Sequence, residues 1–221
     1  MHVRLASLAL AAFTGAGAVP ALAQSSGSVP PGWAAFVKAD ETIKDYTETV
    51  TAHEVKDGKT QDRVYRFFFA KPALARSEIV SGPGAGGEAV WQGGDTVRGH
   101  QGGFLKMIKL TIGIDDARAT DLRGKRIDAA FFPSIVSSFE GVGKIEETPG
   151  PVVDGAPTDA ETVVPPDPAK VRGLTKDTFL ISRATHLPVE HLGYVGTQLV
   201  EDERFTDQKI NPGLPQSTFE L

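Results

Sequence analysis

The run His186-Leu187-Pro188-Val189-Glu190-His191 sets two imidazoles and a carboxylate close together, the donor types of a zinc site. A zinc-binding helix needs both imidazoles on one face, and Pro188 prevents that helix. His186 therefore reads as a turn residue and His191 as an exposed strand residue. His53 and His100 lie far off in the chain, with nothing linking them to a ligand set. The run Gly82-Pro83-Gly84-Ala85-Gly86-Gly87 has the letters of a dinucleotide-binding loop. Such a loop must open a helix whose N-terminus meets the pyrophosphate. Here Glu88-Ala89-Val90-Trp91 follows and reads as a strand, so the glycines belong to a hairpin. No Gly-x-Ser-x-Gly elbow is present, and Ser134, Ser137 and Ser138 fall on the polar side of a helix. Asp115-Asp116 and Glu201-Asp202-Glu203 read as solvated turns or strand faces. No catalytic residue, metal or cofactor is expected.

What remains is aromatic. In Arg63-Val64-Tyr65-Arg66-Phe67-Phe68-Phe69-Ala70-Lys71, strand alternation puts Tyr65, Phe67, Phe69 and Lys71 on one face. That face is either a core strand with Lys71 at its solvent end, or the wall of an apolar cavity with Lys71 at its mouth. Phe131, Phe132, Ile135, Val136 and Phe139 recur at helical spacing, with Pro133 tolerated only in the first turn. A short apolar helix interrupting a run of strands must cover the open face of a curved sheet. Burying each such side chain contributes ~1.5–3 kcal/mol. As a plug it completes a core; as a lid it opens only when an apolar ligand replaces the lost contacts.

These pieces need a scaffold. The 221 residues are 40% hydrophobic and 23% charged, as in a globular protein. The absence of cysteine excludes disulfides, thiolate metal sites and thiol nucleophiles. A net charge of −5 gives no electrostatic basis for binding nucleic acid. Residues 1–23 read as a secretory signal peptide. His2 and Arg4 precede an apolar run ending in Pro20-Ala21-Leu22-Ala23, so Gln24 opens the exported chain. No integral membrane segment is expected after its removal. Residues 24–32 read as a disordered leader and 33–221 as one domain.

Trp33, Phe36, Val37 and Ile43 mark an amphipathic helix. Strands follow at Tyr46–Val55 and Gln61–Ala70, joined by an Asp57-Gly58 turn. More are predicted at Leu74–Val80, Glu88–Gln92, Thr96–His100 and Phe104–Leu110. Asp115–Arg126 reads as a polar loop, and the proline-rich stretch Thr148–Lys170 as an excursion with one strand near Ala160–Val164. Three further strands centre on Thr178–Arg183, Pro188–Tyr194 and Gln198–Lys209, before an extended tail Asn211–Leu221. Consecutive strands joined by tight turns make an antiparallel meander.

Taken in order, several stretches resemble the LolA/LolB-like superfamily of periplasmic lipoprotein carriers. They are Lys44-Asp45-Tyr46-Thr47-Glu48-Thr49-Val50, Phe67-Phe68-Phe69-Ala70-Lys71-Pro72, Val90-Trp91-Gln92-Gly93-Gly94-Asp95-Thr96-Val97 and Thr185-His186-Leu187-Pro188-Val189. The closing run Phe205-Thr206-Asp207-Gln208-Lys209-Ile210-Asn211-Pro212-Gly213-Leu214-Pro215 completes the set. Gly82–Val90, His100–Lys106 and Ile127–Phe139 resemble one branch of exported proteins within it. The resemblance implies an α+β fold, an incomplete antiparallel β-barrel wrapped over an N-terminal helix and a lid helix. It implies a periplasmic, non-enzymatic protein holding lipid, acyl chains or an acylated protein in its concave cavity. Tyr65, Phe67, Phe69 and Trp91 would line that cavity, Phe131, Phe132, Ile135 and Val136 would form the lid, and Lys71 would contact the lid. The carriers usually have Arg at that position, and Lys lacks its planar fork. The alternatives are an interaction or sensor module that binds another envelope protein without a lipid, and, behind both, a hydrolase.

Overall fold

The computed structural model describes residues 29–221; the expected signal peptide and residues 24–28 of the expected leader lie outside the described residues. The first element of the described residues is helix α1 (Pro31–Thr42), which begins two residues earlier than its apolar pattern predicts. Pro31 sits in the first turn, where its missing N–H costs no hydrogen bond. Ile43 ends the helix in an extended conformation, its N–H bonding Asp40 O.

Strands β1 (Asp45–Lys56), β2 (Lys59–Ala70), β3 (Leu74–Ser81), β4 (Glu88–Trp91), β5 (Thr96–His100) and β6 (Leu110–Gly113) then run as an antiparallel meander. The β1–β2 turn uses Asp57 (φ 50°) and Gly58 (φ 73°), the positive angles of a two-residue hairpin. Helix α2 (Phe132–Val142) follows a long loop, with Pro133 in its first turn. A second meander comes next: β7 (Ile145–Pro149), β8 (Thr158–Val163), β9 (Lys176–Ser182), β10 (Pro188–Val195) and β11 (Gln198–Ile210). β11 pairs with β1, which joins the meanders into one open sheet ordered β6-β5-β4-β3-β2-β1-β11-β10-β9-β8-β7. Irregularities at Val64/Tyr65, Thr47/Thr49, Pro188/Glu190 and Gly193/Tyr194 interrupt the register. Such bulges bend a long sheet, and here both helices pack against its concave face.

The fold is therefore the expected α+β incomplete barrel. Three local expectations change. Phe104–Leu110 is not a strand: Gly103–Met107 is a 3-10 turn and β6 begins only at Leu110, because Gly102-Gly103 breaks the pairing. β7 lies within and ahead of a stretch read mostly as loop. The tail is not wholly extended: Gln216–Phe219 makes a 3-10 turn that buries Phe219 and packs beside β3, where Arg76 donates to Thr218 O and Gln92 Nε2 to Phe219 O at 2.8 Å.

Candidate functional site

The register of β1, β2 and β11 sets the residues of the concave face in rows. The first row is Tyr46 with Phe69, and the next is Glu48 with Phe67. Val50 then lies between Tyr65 and Phe205, Ala52 between Arg63 and Glu203, and Glu54 between Gln61 and Glu201. Along the strands the face therefore passes from aromatic to charged.

Under the helices the aromatic end is filled. Phe132 stacks on Tyr46 with centroids 4.2 Å apart, and Phe131 stacks on Phe69 at 4.4 Å and on Trp91 at 5.7 Å. Trp33 of α1 packs on Phe139 of α2 at 4.7 Å. Farther along, the packing gives way to a cavity of about 790 Å³. Its floor carries Val50, Tyr65, Phe67, Ile79, Phe179 and Phe205, and its roof is Ile135, Phe139 and Val142 of α2 with the segment 117–130.

The predicted site residues thus separate. Tyr65, Phe67 and Ile135 line the cavity. Phe69, Trp91, Phe131 and Phe132 are buried against one another beside it, and Val136 is partly buried against the same core. Phe139, Phe179 and Phe205 were not among the predicted lining residues and belong to it.

Lys71 also has a different partner from the one the resemblance implies. Its Nζ donates to Asp40 O at 2.5 Å and lies 3.4 Å from Asp40 Oδ1, at the C-terminus of α1 and not on α2. Burial raises the Asp40 pKa, and Lys71 opposes that rise. A cation at a helix C-terminus also meets the negative end of its dipole. Lys71→Met should therefore cost about 1–2 kcal/mol, because Asp40 O loses its charged donor and keeps only the Ile43 N–H, and the Asp40 carboxyl loses its cation. Urea unfolding of the variant against the unaltered protein measures this, and an unchanged midpoint would remove Lys71 as the clasp on α1.

At the charged end, the segment 115–126, read as a plain polar loop, reaches into the sheet. Arg123 Nε lies 2.9 Å from Glu201 Oε1, and Arg172 Nη2 2.9 Å from Glu201 Oε2. Lys125 Nζ bonds Glu203 Oε1. His191 is held on both sides, Nδ1 at 3.0 Å from Glu203 Oε2 and Nε2 at 2.6 Å from Asp177 Oδ1. It is not the exposed residue expected: 2% of its surface is accessible. Burial pulls its pKa down, but Asp177 and Glu203 outweigh that and raise it to about 9. The ring is thus an imidazolium donating both protons, with no lone pair left to act as a base. Burial would raise the carboxyl pKa values too, but Arg172 and Lys125 hold Glu201 down at about 2, and Lys125 and His191 hold Glu203 below the usual carboxylate range. Glu201 and Glu203 are consequently buried ions, and only Asp202 takes the opposite face that a solvated strand edge would offer. Period-two alternation carried this signal, since Glu201 and Glu203 share a face with Phe205.

Glu54 differs. Burial raises its pKa to about 8, reinforced by the neighbouring Asp121, and its Oε2 accepts from the Leu122 N–H at 3.3 Å. Asp121 is itself bonded by the backbone N–H groups of Arg123 (2.9 Å) and Lys125 (2.7 Å). The cavity therefore ends in a polar wall whose charges are largely matched internally.

No protein-family model matches this sequence, and no curated protein matches it. Solved structures do match. An uncharacterized conserved protein from Thermus thermophilus superposes with a TM-score of 0.54 at 11% identity, covering 84% of this chain and 91% of that one. MucB superposes at 0.50 and 17% identity over 86% of this chain, which spans 61% of MucB. A LolA superfamily protein from Nitrosomonas europaea is matched at 0.39 and 11% identity, over 86% and 97% of the two chains. The chain therefore shares the fold of the Thermus thermophilus protein and of MucB, a curved sheet with helices in its concavity, as the resemblance implied. Identities this low speak to fold alone. Among the described residues no helix is long and apolar enough to cross a membrane.

Proposed function

We propose that this chain is a non-enzymatic, exported periplasmic protein that holds lipid, acyl chains or the acyl groups of a lipoprotein in its half-barrel. The observation that carries this reading is the cavity of about 790 Å³ between the sheet and α2. That volume lies within the range of small-molecule sites, and its wall grades from Phe67, Phe179 and Phe205 to the Lys125–Glu203–His191 cluster. Such a gradient fits an amphiphile, its chain under α2 and its polar end beside the charges. Tyr65, Phe67 and Ile135 make contact with it. Phe131 with Phe132 and Val136 of α2 seat that helix against Tyr46, Phe69 and Trp91, and Lys71 secures α1.

Native mass spectrometry of protein never exposed to detergent, followed by organic extraction, tests this. The expected result is a bound mass of acyl-lipid size. Phe67→Glu should abolish it, and Ala52→Phe, which fills the cavity without adding charge, should do the same while leaving the fold cooperative. Bare protein that also fails to take up a fluorescent fatty acid would overturn the reading in favour of an envelope interaction module.

A further inference from the structure

No Asp or Glu occurs between Asp95 and Asp115, whereas Arg98, Lys106 and Lys109 do, in a chain whose net charge is −5. The middle of this basic stretch is also the most exposed apolar part of the described residues. Phe104 is 90% exposed and Met107 88%, with Ile108 at 54% and Leu110 at 40%. A fold that buries Phe36, Phe69 and Phe132 almost completely leaves these side chains in water. Contiguous exposed apolar groups of this kind mark interaction sites.

The base of the tip is fixed. A Cβ at Gly102 would lie 1.8 Å from Ala85 O, so the backbone here abuts the Gly82–Gly87 loop directly. Gly84, Ala85, Gln101 and Gly102 all line the cavity, which places the tip beside it. Among the described residues Arg98 and Lys109 make no ion pair. Lys106 shares Glu88 with Arg76, its Nζ 3.5 Å from Glu88 Oε1.

From these observations we propose that residues 103–110 dock on an anionic lipid surface. Phe104 and Met107 enter the boundary between headgroups and acyl chains, and Lys106 and Lys109 meet lipid phosphates. Apolar side chains interleaved with cations match such a surface on both counts. A protein partner fits less well, since four projecting side chains fall short of the ~1,200 Å² that a stable protein interface buries. The proposal stands whether or not the cavity holds a ligand.

Co-sedimentation with vesicles tests it, using phosphatidylcholine alone and phosphatidylcholine mixed with phosphatidylglycerol. Every variant carries the same N-terminus as the unaltered protein, so contributions from there cancel. The unaltered protein should bind the mixed vesicles and lose binding as salt is raised. Phe104→Ser with Met107→Ser should lower partitioning roughly tenfold or more, as expected for two lost apolar anchors. Lys106→Gln and Lys109→Gln should each lower it roughly fivefold on anionic vesicles and leave neutral vesicles unaffected. None of these exposed changes should move the Tm. Binding that is absent, or unaltered by the serine pair, overturns the proposal. A concentration-dependent dimer abolished by that pair would do so as well, by giving the tip to a second copy of the chain. Phe67→Glu should keep vesicle binding, which separates this result from the fate of the cavity reading.

Discussion

Raising the pH from about 4.5 to about 8 should destabilise this protein, the opposite of what salt-bridged carboxylates produce. Three buried glutamates cause this. Burial raises Glu48 to about 8 against the opposing hydrogen bond from Gln208. Glu54 reaches about 8 through burial and Asp121, and Glu161 reaches about 8 through burial and Glu147. Neither Glu161 oxygen has a hydrogen-bond partner among the described residues. All three are protonated in the fold and ionise near 4.5 in the unfolded chain. The folded state thus binds more protons across that window, and stability falls as pH rises through it. His191, raised to about 9, extends the loss: its contribution is complete below 6.5 and disappears as pH passes 9. On the acid side Glu201 and Glu203, both lowered, contribute stability above 4.5 that is lost as pH falls. Maximum stability therefore lies in the mildly acidic range.

One pKa unit corresponds to about 1.4 kcal/mol, so three groups together change stability by several kcal/mol. For a chain of this length that is a fall in Tm on the order of 10 °C between pH 5 and 8. Thermal unfolding across pH measures it. Glu48→Gln, neutral at every pH and still able to accept from Gln208, should remove part of the slope. A flat profile from pH 5 to 8 would show that these carboxyls are hydrated.

Phe132→Ala should be among the most damaging single changes. Phe132 is 1% exposed, stacked on Tyr46 with planes 8° apart, and set edge-on to Phe36 at 5.7 Å. With Phe139, which meets Trp33 and Phe179, it ties α2 to both the sheet and α1. Truncating a buried phenylalanine costs about 3–5 kcal/mol, part transfer free energy and part residual cavity. The loss falls on the first turn of α2, so the cavity roof that the rest of the helix forms loosens as well. Urea unfolding should show the lowered midpoint, and hydrogen exchange should show α2 amides opening ahead of β1 and β2. A loss under about 1 kcal/mol would mean that the site collapses around the missing ring.

Much of the architecture was legible along the chain because it is local. The β1–β2 hairpin follows from Asp57-Gly58 between alternating strands, and α2 from Pro133 ahead of Ile135 and Phe139. At the turn before β10, His186 adopts φ 57°, in keeping with its reading as a turn residue. The aromatic face of β2 was legible too, but not which of its residues stay open. Phe67 faces the cavity and Phe69 meets Phe131, a division made by where α2 comes down.

Period, turn residues and composition were enough to set most strands of the meanders, the two helices, the aromatic face and the absence of thiol chemistry, but not β6 or β7. The remainder came from long-range packing. It brought Arg123 and Lys125 under Glu201 and Glu203, 78 positions away, and turned His191 from an exposed residue into a buried imidazolium. It gave Lys71 to α1, and left Phe104 and Met107 in water. Periodicity states which side chains share a face. What covers that face depends on segments distant in the chain, and through burial and neighbouring charge the cover decides whether a glutamate is an ion or an acid.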